Sequence, residues 1–294
     1  MKISVCGSIH QNASQESFLD LMRSILALKI EHTIEIEQRF YSYLIGRGFS
    51  LSGVGILNPS GVIETDILIS IGGDGTFLRT AKLIAGTDAG IIGINSGHLG
   101  FLASLQPEDF PHLWNDIING QAFEEKRELL ECYVKKADGT YTLRGLTLNE
   151  VAVMKRDTAS MISVATYING ELISNTDGDG QLISTPTGST AYALSVNGPV
   201  VHPLSPVVQI CSIAPHTLNM RPIVLPDSVE IELVVESRSG SYLLAVDGKS
   251  HPETAGTVIK IKKSDKWLKV LHSSRYSYYQ TLREKLMWGK DPRI

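Results

Sequence analysis

The sequence predicts an α/β N-terminal domain built on a Rossmann-like parallel sheet, followed by a mostly antiparallel all-β C-terminal domain. Three observations carry that reading. Helix-period and strand-like segments alternate through the first part, apolar residues take a period of two from about Leu129 onward, and Asn169-Gly170 ends one such alternating run as a two-residue hairpin turn. At 294 residues the chain can support two domains, each with its own core.

The elements follow in chain order. Met1 to Gly7 reads as a strand and turn, and Phe18, Leu21, Met22 and Ile25 then follow helical spacing. A second helical stretch surrounds Phe40, Tyr43 and Leu44. Ile67 to Ile71 has the apolar, β-branched composition of a buried parallel strand. Thr76 is expected to cap a helix whose Phe77, Leu78, Ala81, Ile84 and Ala85 share one face. Gly90 to Asn95 is a further strand. Ligands bind such sheets at the carboxyl ends of their strands, so Asp74 and the turn Asn95 to Gly100 both fall on the candidate edge.

In the second half, Ile162, Val164, Thr166 and Ile168 alternate with more polar residues. Val229, Ile231, Leu233 and Val235 alternate with Glu230, Glu232 and Glu236, and Ile259 and Ile261 alternate with Lys260 and Lys262. Tyr279, Leu282 and Leu286 return to helical spacing, with Gly289 as a stop. A lone amphipathic helix finds more sites to cover on an α/β domain than on paired sheets. The expected division is therefore residues 1–127 with 275–294, and residues 128–274.

Composition narrows the function classes. Lys and Arg number 27 against 31 Asp and Glu, a net charge of −4, which gives no global attraction for nucleic acid or an anionic membrane. No segment approaches the roughly eighteen unbroken apolar residues of a membrane span. Cys6, Cys132 and Cys211 are odd in number and far apart, as expected of a reducing cytoplasmic location. The eight histidines form no zinc pattern, and His98, His202 and His216 read as structural.

Two constellations carry chemistry. Gly72-Gly73-Asp74-Gly75-Thr76 places a carboxylate inside a glycine turn between strand and helix. Glycines let a ligand approach bare backbone, and the free N–H groups of a first helical turn attract anions. No Walker loop or dinucleotide fingerprint is present. The second run, Asp177 to Ser195, packs carboxylates, small residues and hydroxyls together, with Thr190, Tyr192 and Ser195 able to hydrogen-bond a polar ligand.

With Asn149-Glu150, Thr185-Pro186-Thr187-Gly188-Ser189, Gly198-Pro199 and His202-Pro203, these motifs resemble the NAD kinase family over roughly residues 66–250. Diacylglycerol and sphingosine kinases resemble the first motif only. The resemblance implies a C-terminal β-sandwich that binds NAD, and transfer of the γ-phosphoryl group of ATP to the 2′-hydroxyl of the adenosine ribose of NAD. It implies Mg²⁺ or Mn²⁺ with ATP, metal ligands unknown, and a homodimer or homotetramer.

By the same resemblance Asp74 is the catalytic base or, alternatively, mainly holds the metal. Gly72, Gly73, Gly75, Thr76 and Arg79 would lie near nucleotide. Asn149, Glu150, Asp177 and Asp179, the run Thr190, Ala191, Tyr192, Ala193, Leu194 and Ser195, and Ala214 would contact the dinucleotide. A lipid kinase sharing the glycine loop and a non-catalytic NAD(P) sensor are the competing readings.

Overall fold

The structure, a computed structural model, describes residues 1–10, 16–97, 100–157, 160–217 and 219–289, so His98 lies outside the described residues. The chain forms two compact units, Met1–Lys126 with Leu268–Ile294, and Arg127–Trp267. The return to the first unit falls inside the last strand.

The first unit begins with β1 (Lys2–Gly7), α1 (Glu16–Ala27), β2 (Thr33–Glu37), α2 (Gln38–Gly46) and β3 (Gly55–Leu57). It continues with β4 (Ile67–Ile71), α3 (Asp74–Ala81), β5 (Gly90–Ile94) and α4 (Phe110–Ile118). Its strands run parallel in the order β3-β2-β1-β4-β5. Ile3, Val5, Ile67 and Ile69 on one sheet face bury Phe18, Leu21, Met22 and Ile25 of α1. That period-3.6 stripe is what holds α1 on the sheet. α3 is shorter than its apolar pattern suggests. It ends at Ala81, and Ile84 and Ala85 are buried on the turns that follow.

β6 (Phe123–Lys135) leads into the second unit, which continues with β7 (Tyr141–Thr147), β8 (Glu150–Lys155), β9 (Ile162–Ile168) and β10 (Glu171–Gly178). Next come β11 (Gly180–Ser184), α5 (Tyr192–Ser195), β12 (Val207–Ile213), β13 (Ile223–Pro226) and β14 (Ile231–Ser237). β15 (Ser241–Val246), β16 (Lys249–Thr254) and β17 (Val258–His272) complete the strands. One antiparallel sheet has the order β13-β12-β11-β8-β15-β16; in the other, β10, β9 and β14 pair in turn, with Val258–Ile261 of β17 beside β14.

Val151, Val153, Ile183 and Leu244 of the first sheet meet Val164, Leu233, Val235 and Ile259 of the second in one buried cluster. This is the β-sandwich. Asn169 and Gly170, at φ of 50° and 85°, make the turn between β9 and β10. Both central residues of such a hairpin need positive φ.

Beyond the sandwich, Lys269 and Val270 of β17 pair in parallel with Gly90 and Ile91 of β5, so the end of β17 joins the first unit's sheet. α6 (Tyr278–Leu286) follows, its first turn capped by the Ser277 hydroxyl. Thr281 and Leu282 are its buried residues, whereas Tyr279 is 61% exposed. The helix stops at Met287 in the left-handed conformation, before Gly289.

The end of β1 is fixed by a close approach: a Cβ on Gly7 would stand 2.5 Å from ring carbons of the buried Phe40. Gly7→Ala should cost roughly 1–3 kcal/mol through overpacking, read as a lower urea midpoint at unchanged m-value.

Candidate active site

The glycine loop joins the buried strand β4 to α3. Gly72 has φ of 154°, and a Cβ there would stand 2.5 Å from Thr76 Oγ1, so the turn can close only on glycine. Gly73 is the N-cap and Asp74 the first residue of α3, which places Thr76 inside the helix rather than at its cap. The expectation for Thr76 is corrected by the glycine turn, which already supplies the extended cap residue. No side chain caps α3. Gly73 and Gly75 are exposed, so a ligand can reach this backbone.

Asp74 is held from outside its own helix. Oδ1 accepts the N–H groups of Leu102 and Ala103 at 3.1 and 3.0 Å, and Oδ2 accepts that of Phe101 at 3.0 Å. A carboxylate oxygen has two lone pairs, so one on Oδ2 remains for a ligand hydroxyl. Gly100 lies against this carboxylate, and any Cβ there would collide with Oδ1. Asn95 braces the same loop, accepting the Gly97 N–H at 2.5 Å and donating to the Ala103 carbonyl at 3.4 Å.

Arg79 points its guanidinium at Glu37, the last residue of β2, with two bonds of 2.5 and 3.0 Å, and at the Gly7 carbonyl. Glu37 is buried, so this bidentate pair ties α3 to the ends of β1 and β2.

In the second unit, Asn149 and Glu150 stand at the start of β8. Asp247, in the Asp247-Gly248 turn between β15 and β16, accepts the Leu148 and Asn149 N–H groups at 3.0 and 2.8 Å and also the Thr147 hydroxyl. This clamp leaves two buried oxygens without a hydrogen bond, Asn149 Oδ1 and Glu150 Oε2. Buried acceptors of that kind are costly unless a ligand meets them. The Tyr192 N–H also donates to the Glu150 carboxylate, while burial and then the negative charge of Asp247 push Glu150 up to about 7.

Tyr192 opens α5, which packs with Ala193 against Ala152, Leu182, Cys211 and Ala245 on the outer face of the six-stranded sheet. Burial and then the charges of Asp179 and Glu150 raise its phenol. Asp179 pairs with Lys155 at 2.7 Å between β10 and β11. Gly178 beside it packs on the Ala214 and Ile213 carbonyls, 2.9 and 3.0 Å from where a Cβ would stand. Ala214 has φ of 44°, Asp177 is exposed, and Thr190 donates to the Thr187 carbonyl. Thus Glu150, Asp179 and the start of α5 gather around Tyr192, with Ala214 behind Gly178.

The turn ending at Gly100 was expected at this edge, but the structure adds residues that the sequence reading missed: the Phe101 to Ala103 backbone, which carries no side-chain signature, and Asp247. Burial pushes the Cys6 and Cys132 thiols up to about 12 and Cys211 to about 11, so none is a nucleophile. Among the described residues no three His, Cys, Asp or Glu side chains converge as a metal cage.

Glu150 should titrate near pH 7 in a carboxyl-resolved NMR titration of the free protein. Asp247→Asn should move that midpoint down by removing a like charge, but not fully to the ordinary value, because burial is the larger cause.

Comparison with known proteins places this arrangement. Residues 62–122 match the model of the ATP-NAD kinase N-terminal domain, and residues 148–273 that of the C-terminal domain. A Bacteroides fragilis NAD kinase is 43% identical over 79% of each chain. One from Flavobacterium johnsoniae is 36% identical over 100% of each. A yeast NADH kinase solved with NADH shares the fold at a TM-score of 0.89 and 23% identity, over 100% of this chain and 89% of that one. An Archaeoglobus fulgidus NAD kinase solved with ATP gives 0.69 at 25% identity, over 98% of each. The chain belongs to the NAD kinase family of ATP-dependent kinases.

Proposed function

We propose that the chain transfers the γ-phosphoryl group of ATP to the 2′-hydroxyl of the adenosine ribose of NAD, with Asp74 accepting the proton. The observation that carries this reading is the Asp74 carboxylate, fixed by three backbone N–H groups with a lone pair on Oδ2 to spare. As the ribose oxygen bonds to the γ-phosphorus, the bond to the bridging oxygen breaks and ADP leaves with its electron pair. The hydroxyl proton passes to Oδ2. The exposed Gly73 and Gly75 backbone suits phosphate. Arg79, drawn toward Glu37, acts by bracing α3 beneath the nucleotide.

The dinucleotide is recognised by the second unit. Asn149 Oδ1 and Glu150 Oε2 are the acceptors for donors of its adenosine, and Asp179 with the Thr190 to Ser195 segment supplies the neighbouring wall. Asp177 and Ala214 stand at its margin.

A divalent cation, Mg²⁺ or Mn²⁺, accompanies ATP and offsets phosphate charge. Such a cation keeps several waters and is held in large part by the phosphates it accompanies. The three buried free thiols support a cytoplasmic location. Apolar side chains exposed on the edge strands, Leu172 and Ile173 of β10 and Ile223 and Val224 of β13, support a homodimer or homotetramer.

Purified protein with NAD, ATP and Mg²⁺ should form NADP and ADP in equal amounts; a preparation that binds both nucleotides yet forms no NADP defeats the proposal. Gly100→Ala, which pushes on the Asp74 carboxylate, should lower kcat on the order of 10²-fold at nearly unchanged NAD affinity. NAD affinity should rise as pH increases through about 7, because ionised Glu150 accepts ribose hydroxyl or adenine amino donors more strongly than the neutral acid does. Glu150→Gln should abolish that pH dependence in calorimetric titrations.

A further inference from the structure

We infer that Thr185, assisted by Ser184, is a positioning residue for the dinucleotide: a buried hydroxyl jaw that fixes Asn149-Glu150 against the turn leading into Tyr192. The inference rests on the NAD pocket proposed above and concerns how the second unit builds it. Both side chains are buried, so neither touches a ligand. Ser184, the last residue of β11, pairs with Glu150, the first of β8, and Thr185 follows where the chain leaves the sheet.

The jaw closes on carbonyls whose neighbouring N–H groups Asp247 already holds. The Thr185 hydroxyl donates to the Leu148 carbonyl at 2.5 Å, and the Asn149 N–H of the same peptide plane donates to Asp247 at 2.8 Å. The Asn149 carbonyl accepts the Thr185 N–H at 2.9 Å and the Ser184 hydroxyl at 3.3 Å, while the Glu150 N–H donates to Asp247 at 3.4 Å. Two successive peptide planes are therefore pinned at both ends. Rotating either one breaks buried hydrogen bonds on both sides, each costly to leave unmade.

The same hydroxyl reaches the other wall of the pocket. Thr185 Oγ1 accepts the Gly188 N–H at 3.1 Å, the Gly188 carbonyl accepts the Ala191 N–H at 2.9 Å, and the Tyr192 N–H donates to the Glu150 carboxylate. These bonds close a ring from Thr185 through Gly188, Ala191, Tyr192 and Glu150 back to Leu148. The turn sits hard on the jaw, since a Cβ on Gly188 would stand 2.2 Å from the Asn149 carbonyl oxygen and 2.5 Å from Ser184 Oγ. Arg127, also buried, donates to Thr187 Oγ1 at 3.2 Å in the same turn. The position demands one atom that both donates and accepts, which a hydroxyl provides and a methyl group does not. Through it, the spacing of Glu150 and Asn149 from the Thr190 to Ser195 segment is set before any ligand arrives.

The test compares Thr185→Val, which keeps the shape of the side chain and loses both bonds, with Thr185→Ser, which keeps both, in the full chain. Thr185→Val should raise KM for NAD about tenfold while kcat at saturating NAD and KM for ATP hold, and Thr185→Ser should return wild-type values. A hydroxyl that only supported the fold would lower Tm in Thr185→Val and leave KM for NAD alone. Ser184→Ala keeps every Thr185 bond to Leu148 and Gly188; it should raise the same KM about threefold, and it carries the test if Thr185→Val does not fold. Amide exchange in the ligand-free protein should quicken at Tyr192 in the same variants but not in Thr185→Ser. An unchanged KM for NAD in the folded variants, a loss confined to kcat, an equal loss in Thr185→Ser or unaltered exchange at Tyr192 each overturns the inference. The exchange measurement reads the jaw even in a preparation that makes no NADP, so this inference and the proposed function fail separately.

Discussion

The capture of the Asp74 carboxylate by the Phe101 to Ala103 backbone is the constraint on which the rest of the first unit depends. A carboxylate on a glycine turn is otherwise free to rotate. Two bonds on Oδ1 and one on Oδ2 leave it a single orientation and one directed lone pair. That geometry needs β4 and β5 side by side, glycine at 72 to close the turn, and glycine at 100 to admit the incoming backbone. The Arg79–Glu37 pair then fixes α3 against the strand ends. The parallel strands β4 and β5, buried at every residue, are the platform that makes such precision available to a loop.

The second unit solves a different problem, holding acceptors unpaired. Burying Asn149 Oδ1 and Glu150 Oε2 without partners costs stability, and the Asp247 clamp on the Leu148 and Asn149 N–H groups keeps the segment from relaxing to satisfy them. Asp247 also adds to the burial that holds Glu150 near 7. The rigid sandwich beneath allows this. Four small or apolar residues under α5, Ala152, Leu182, Cys211 and Ala245, let Ala193 and Tyr192 lie close to the sheet.

Much of this was legible in the sequence, because periodicity records burial. The α1 stripe, the β4 run and the Asn169-Gly170 turn sit where their spacing puts them. β2 and β3 were not legible: Thr33-Ile34-Glu35-Ile36-Glu37 is brief, and Gly55-Ile56-Leu57 is shorter still. α4 was not legible either: it is nine residues long and carries Pro111 in its first turn, where a proline is tolerated but gives no helical signal. Thr76 looked like a cap because its residue type favours caps, yet the glycine turn moved the helix start back to Asp74. In the site, the glycine loop and the 177–195 run were visible as composition. What holds them was not, since backbone N–H groups have no sequence signature and the partners stand about 30 and 100 residues away.

The most direct measurement is the kcat of NADP formation by Asp74→Asn, taken together with NAD affinity by calorimetry. The amide keeps the shape of the carboxylate but cannot accept a proton from the ribose hydroxyl. Turnover should fall on the order of 10²-fold or more while NAD affinity changes little. Unchanged turnover with intact binding would contradict the role given to Asp74.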